Sequence, residues 1–218
     1  MRVSTILHID SSARIERSLT RRMGRQFIEY WLELRPQDVV IYRDVGCNPP
    51  PTVSQAWIAA AFTREADRTE EQSEVLFVSD ELINELERSQ IIVIGAPMYN
   101  YGMPAALKAW FDMVIRVGRT FAFNAEEKTW PLSPMLTGKT LVILSSRGEF
   151  GFEPGGIREH MNHLETHIRT CAHYLGVIQT HFVCTEYQEF GDERHRQSLA
   201  DAEAALGRLA RSLCHGGP

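Results

Sequence analysis

The stretch IIVIGAPMYNYGMPAALKAWFDMV, residues 91–114, decides how the rest of the chain is read. Ile91–Ile94 is an apolar, β-branched run without polar alternation, so it reads as a strand buried on both faces. Pro104–Val117 reads as the helix that follows, with Pro104 suited to its first turn. Between the two lies a polar, aromatic corner, Met98-Tyr99-Asn100-Tyr101-Gly102, entered through Pro97, which fixes the backbone as the strand ends. Gly102 permits close backbone approach. Large flat or soft groups have no core to fill in such a turn. A planar ligand lying against Met98, Tyr99 and Tyr101 accounts for them; packing on a neighbouring loop is the plain alternative.

Outward from this unit the same alternation repeats. Val3–Ile9 and Val39–Tyr42 read as the first two strands, separated by a helix over Ser18–Arg35 that stops at Pro36. Helical spacing follows over Val53–Arg64 and Ser73–Leu86. Leu141–Leu144 and Val177–Val183 are the fourth and fifth strands, with helices expected over Ile157–Leu175 and Glu193–Leu213. Strands that alternate with helices and lack a polar face predict an α/β fold: a five-stranded parallel sheet with helices on both faces. The residues left over fall in two excursions, Cys47–Gln72 and Phe121–Gly138. Loops of that length in a compact domain are usually functional or partner-facing.

At 218 residues the chain is expected to form one domain, 1–218. A net charge of −5 gives no reason to expect nucleic acid or an anionic membrane as partner. No apolar run approaches a membrane span, and the N-terminal residues go straight into a strand-like run without a signal region. Four cysteines lie far apart with no Cys-x-x-Cys pair, which fits a reducing cytoplasm.

In an open parallel sheet, ligands bind outside the carboxyl ends of the strands, so the loops after strands one, three and four are compared for a shared chemistry. HIDSSARIERSLTRR, residues 8–22, sets Ser11, Ser12, Ser18 and Thr20 around a helix start, where unpaired N–H groups and a partial positive charge suit a phosphate. Ser18 as a simple helix cap is the equal alternative. The segment matches neither G-x-G-x-x-G nor G-x-x-x-x-G-K-[ST], which disfavours dinucleotide and P-loop readings. SSRGEFGFEPGG, residues 145–156, offers glycine-rich backbone donors and the cation Arg147. A phosphate cradle, a flat wall and a donor-rich patch together suit a phosphorylated planar heteroaromatic that gains negative charge. Flavin mononucleotide (FMN), whose N1–C2=O edge becomes anionic on two-electron reduction, is such a molecule.

The string GAPMYNYGMPAALKAWFDMVIRVGRTFAF, residues 95–123, together with SSRG at 145–148, resembles the FMN-dependent NAD(P)H azoreductases, flavodoxin-like relatives of the quinone reductases. Residues 68–86 and 136–148 carry the same likeness, which spans nearly the whole chain. The resemblance implies a flavodoxin-like sheet in the order 2-1-3-4-5. It places the cofactor phosphate on Ser12 and Ser18-Leu19-Thr20, the isoalloxazine on Pro97-Met98-Tyr99-Asn100-Tyr101, and a third contact on Ser146-Arg147-Gly148-Glu149. Tyr99, Asn100 and Arg147 are then orienting groups, with backbone N–H groups near Asn100 and Gly148 facing the ring edges, and no side chain acting as a nucleophile. It further implies NADH or NADPH as donor, a quinone or azo compound as acceptor, two-electron ping-pong transfer, and a homodimer in which the partner's Phe121–Pro134 completes each cleft. Two positions depart from the family pattern: Tyr101 stands where Phe is common, and Glu149 where a second glycine is usual. A carboxylate at Glu149 pointing inward would oppose an anionic reduced flavin.

Other constellations are weaker. His160, His163 and His167 lie on one expected helix, and a metal shared by His163 and His167 lacks an evident third ligand, so no metal site is expected. No G-x-S-x-G elbow supports a serine nucleophile. The rival functions are a flavodoxin-type electron carrier, disfavoured by size and by the absence of a glycine-rich phosphate loop, and a non-catalytic regulatory protein that lost the flavin, favoured only by Glu149.

Overall fold

The structure, a computed structural model, describes residues 3–216. The expected domain 1–218 therefore includes residues 1–2 and 217–218, which lie outside the described residues. Five strands, β1 (Thr5–Asp10), β2 (Val39–Asp44), β3 (Ile91–Pro97), β6 (Lys139–Ser146) and β7 (Val177–Thr185), form one sheet in the order β2-β1-β3-β6-β7, every pair parallel. Leaving out the short antiparallel hairpin β4 (Phe121–Phe123) and β5 (Leu132–Pro134), this is the expected order. β3 is longer than its apolar run suggests. It continues to Pro97, opposite Ser146, and is buried throughout.

The helices are α1 (Leu19–Leu34), α2 (Gln55–Phe62), α3 (Glu70–Arg88), α4 (Ala105–Val114), α5 (Glu165–Ala172) and α6 (Glu193–Gly216). Their ends follow local chemistry. The Ser18 side chain accepts the Arg21 N–H to start α1, and Arg35, placed before Pro36, leaves the helical region at φ −134°. Thr69 and Gln72 form a capping box at α3. Alternate strand residues join two separate apolar clusters. Ile92, Ile94, Leu141 and Ile143 pack with Leu82, Trp110 and Ile168, whereas Ile91, Val93, Val142 and Leu144 pack with Phe27, Trp31 and Leu206. Each such side chain, fully buried, contributes about 1.5–3 kcal/mol.

One expected helix is broken. Ile157–Leu175 is instead a 3-10 turn (Glu159–Met161), then α5, then a second 3-10 turn (His173–Leu175). Asn162 causes the break: its amide donates to the Phe152 carbonyl at 3.0 Å and accepts the Glu165 N–H at 3.3 Å. The His163 N–H leaves the helical path to donate to the Tyr101 carbonyl at 3.0 Å. His163 and His167 thus do not share one helix. The break ties α5 to the corner after β3.

Candidate functional site

The loop after β1 is braced from beneath by a residue with no expected role. Arg21, buried, donates from Nε to the Arg14 carbonyl (2.9 Å) and from Nη2 to the Ser12 carbonyl (2.7 Å). The same guanidinium grips Asp44 with two bonds of 2.6 and 2.7 Å and lies 3.5 Å from Asp10. The Tyr42 hydroxyl donates to Asp10 at 2.9 Å. Arg21 holds the Asp44 carboxyl down at about 2. Arginine's planar fork suits this simultaneous grip on carboxylate and carbonyls. The loop above it is therefore fixed: Ser12 Oγ accepts the Arg14 N–H (3.2 Å), and Ser18 is the helix cap, its hydroxyl 3.3 Å from that of Thr20. The first N–H groups of α1, on Leu19 and Thr20, lie outside the intrahelical ladder.

The corner after β3 is a two-residue turn. Tyr99 and Gly102 exchange both backbone hydrogen bonds at 3.0 Å, and Asn100 and Tyr101 between them take φ of +47° and +68°. This is the type I′ geometry, which needs two left-handed residues in succession. Asparagine tolerates that conformation; a tyrosine there is strained, at a cost on the order of 1 kcal/mol or more. The strain falls on Asn100 and Tyr101 rather than on Gly102, where an added Cβ would meet only the Tyr99 carbonyl at 4.0 Å. Asn100 N–H has no hydrogen-bond partner among the described residues. The Tyr99 hydroxyl accepts the Ala13 N–H at 3.3 Å, linking the corner to the serine loop.

The loop after β6 is zipped to the loop after β7. N–H groups of Tyr187, Gln188 and Glu189 donate to the carbonyls of Glu149, Arg147 and Gly148 at 3.1–3.2 Å. The N–H groups of Gly148 and Glu149 have no partner among the described residues. The side chains divide by the two-residue period of extended chain. Ser146 and Gly148 face one cavity and Arg147 another. Arg147, expected as a cation beside the ligand, is instead buried, paired with Glu165 and Glu186, its guanidinium 5.3 Å from the Phe152 ring and 5.4 Å from the Phe182 ring. Glu149 likewise turns away, its carboxylate 3.6 Å from Arg158.

Together these loops enclose a cleft of about 600 Å³ at the carboxyl rim of the sheet. Of the residues singled out from sequence, Ser12, Ser18, Leu19, Pro97, Met98, Tyr99, Asn100, Ser146 and Gly148 line it. Thr20 is buried behind Ser18, and Tyr101 packs on Phe152, ring centroids 6.2 Å apart. Four lining residues were not among the expected contacts: Arg14, Arg17, Gln188 and Glu189. Both arginines belong to the quoted serine loop, so their charge was a visible signal. Gln188 and Glu189 follow β7, whose end reaches the same rim by the rule already applied to the others. A second cavity, of about 440 Å³, lies on the Arg147 side and includes Phe152, Glu165, Phe182 and Glu186.

A parallel sheet in this order, with a cleft over its switch point, defines a flavodoxin-like protein. The chain belongs to that family: the model of the flavodoxin-like fold matches residues 4–209. It is 50% identical over 218 residues to FMN-dependent NADH:quinone oxidoreductase 2 of Idiomarina loihiensis, covering 97% of this chain and 91% of that one. It is 39% identical over 211 residues to FMN-dependent NAD(P)H:quinone oxidoreductase 1 of Pseudomonas aeruginosa, covering 96% of this chain and all of that one. An azoreductase from Bacillus anthracis superposes with a TM-score of 0.86 over 97% of this chain and 100% of that chain, at 20% identity, a likeness of fold.

Proposed function

We propose that the chain is an FMN-dependent NAD(P)H oxidoreductase that reduces quinones or azo compounds. The observation that carries this reading is the rim cleft, in which the serine loop, the Met98–Asn100 corner and the Ser146–Gly148 strand end meet. Relatives 38–50% identical that are named FMN-dependent NADH:quinone oxidoreductases support it. The donor set fits FMN. Ser12 and Ser18, the N–H groups of Leu19 and Thr20, and the guanidiniums of Arg14 and Arg17 suit its phosphate. Met98 and Tyr99 offer a soft, flat wall, and the free N–H groups of Asn100, Gly148 and Glu149 suit ring heteroatoms.

When bound, FMN supplies the redox chemistry, taking a hydride from NADH or NADPH and passing two electrons to the acceptor. The chain's own groups bind and orient. Tyr99 and Asn100 set the wall and its donor, Arg147 acts from behind the glycine strand end rather than on the ligand, and no side chain serves as nucleophile. Donor and acceptor share one cleft in turn, a ping-pong pattern. In this reading residues 1–218 form one domain with helices on both sheet faces, supported by the two apolar clusters. The protein acts in the cytoplasm, in keeping with its free cysteines. No helix among the described residues is long and apolar enough to cross a membrane. A homodimer is supported by Phe123 and Trp130, both about three-fifths exposed on and beside the β4–β5 hairpin. Glu149, the one feature that favoured a non-catalytic relative, faces Arg158 and not the cleft.

The test is the visible spectrum of the protein before and after FMN addition, then with NADH, then with benzoquinone. Yellow protein that bleaches with NADH and recovers with the quinone is expected. A chain that does not retain FMN, or retains it without bleaching, overturns the assignment.

A further inference from the structure

The rim cleft has two ends of opposite charge. At the β1 end, Arg14 and Arg17 line it with guanidiniums that have no ion-pair or hydrogen-bond partner among the described residues. At the far wall the lining acid is Glu189, whose carboxylate is equally unpartnered among the described residues. Between the loops after β1 and β7 stand β3 and β6. Three inter-strand spacings place the two ends about 14 Å apart. Such a cleft suits an elongated ligand with an anion at one end and a hydrogen-bond donor, not a second anion, at the other.

Glu189 is held at that wall by two contacts. Its N–H donates to the Gly148 carbonyl at 3.1 Å, and its side chain lies flat against Gly148. A Cβ built at position 148 would come within 2.6 Å of Glu189 Oε1, 2.7 Å of Cδ and 2.8 Å of Cγ. Glycine at 148 therefore makes room for the carboxylate beside it. The negative charge near this wall thus comes from the loop after β7, since Glu149 has turned to Arg158.

We propose that Glu189 sets the redox bias of the cleft. Resting on the FMN reading above, it accepts a hydrogen bond from an imide-type N–H of the oxidised ring and disfavours the negative charge that the ring acquires on two-electron reduction. Glu189 is a positioning and tuning residue; it takes no part in electron or proton transfer.

The experiment compares wild type, Glu189→Gln and Glu149→Gln by spectroelectrochemical titration of the FMN-loaded proteins, with affinity for oxidised FMN measured in parallel. Glutamine keeps the shape and an acceptor oxygen but removes the charge. Glu189→Gln is expected to raise the ratio of reduced to oxidised FMN affinity about tenfold, a midpoint about 30 mV more positive for a two-electron couple. Glu149→Gln is expected to move it by less than half as much. An unchanged midpoint in Glu189→Gln, or a larger shift in Glu149→Gln, overturns the role of Glu189 and leaves the flavin assignment standing. A wild-type protein that takes up no FMN overturns both.

Discussion

The two ends of the sheet treat polar groups in opposite ways. At the amino end they are consumed internally. The Lys139 ammonium, buried, donates to the Leu86 carbonyl at 2.8 Å and also to those of Glu87 and Ser89, closing the end of α3. Nearby, Asp38 accepts from the Ser4 N–H, the Trp31 indole and Arg35. At the carboxyl end, by contrast, two guanidiniums, one carboxylate and several N–H groups around a cleft have no partner among the described residues, above the buried network of Arg21 with Asp44 and the loop carbonyls. One fold thus closes its polar groups on one another at one rim and leaves some of them facing a ligand cleft at the other. The open rim stays open because Arg21 carries the loop from below.

Removing that support is the change expected to disturb this contrast most. Arg21→Met leaves Asp10 and Asp44 without their cation and frees two loop carbonyls. Breaking a buried pair in this way costs about 3–5 kcal/mol, to be read in urea unfolding. The pH dependence supplies a second check. Asp44 is held at about 2, below its ordinary 3.8. A carboxylate depressed in the folded state stabilises it above about pH 4, and that contribution is lost as pH falls through about 2. In Arg21→Met this part of the acid limb should vanish. A variant within about 1 kcal/mol of wild type, with the same acid limb, would show that the loop does not depend on this network.

Next in size is the closed rim. Lys139→Met removes a donor from three carbonyls, those of Leu86 and Ser89 in buried contacts and that of Glu87 in a part-buried one. It should cost about 1–3 kcal/mol, with FMN affinity unchanged within twofold. Loss of FMN binding at unchanged stability would mean that the two rims are not separable.

The open rim should yield more selectively. Arg17→Ala removes one free cation from the β1 end. A charge-assisted contact at an exposed site is worth about 1 kcal/mol, roughly fivefold in affinity. That loss should appear for FMN and be absent for riboflavin, which lacks the phosphate. Equal weakening of both flavins would move the phosphate away from Arg17.

How much of this was legible in the chain depends on the range of the interaction. The central strands announced themselves because Ile91–Ile94 and Leu141–Leu144 have no polar face, and the rim location followed from strand order. Arg147 was misplaced because its position at a strand end was read without its parity. Ser146 and Gly148 share one side of the extended chain, so the residue between them had to face the other. Arg21 was invisible for a different reason. Its partners, Asp10, Asp44 and the carbonyls of Ser12 and Arg14, are brought together only by the β1–β2 pairing. The break at Asn162 depends on contacts to Phe152 and Tyr101 that no helical periodicity records.

The corner after β3 carries the smallest and most diagnostic prediction. Deleting the Asn100 N–H with proline, the obvious substitution, would confound the result, because proline holds φ near −65° and Asn100 sits at +47°. Tyr99→Phe avoids this. It keeps the ring and the turn and removes only the hydroxyl that accepts the Ala13 N–H at 3.3 Å. So long a bond at a partly exposed site contributes about 0.5 kcal/mol, hence a two- to threefold loss of affinity. The loss should fall on FMN and spare riboflavin, since the hydroxyl anchors the serine loop and not the wall. Tenfold weakening of both flavins would instead make the Tyr99 hydroxyl a direct ligand of the ring. The open rim would then reach across the corner as well as around it.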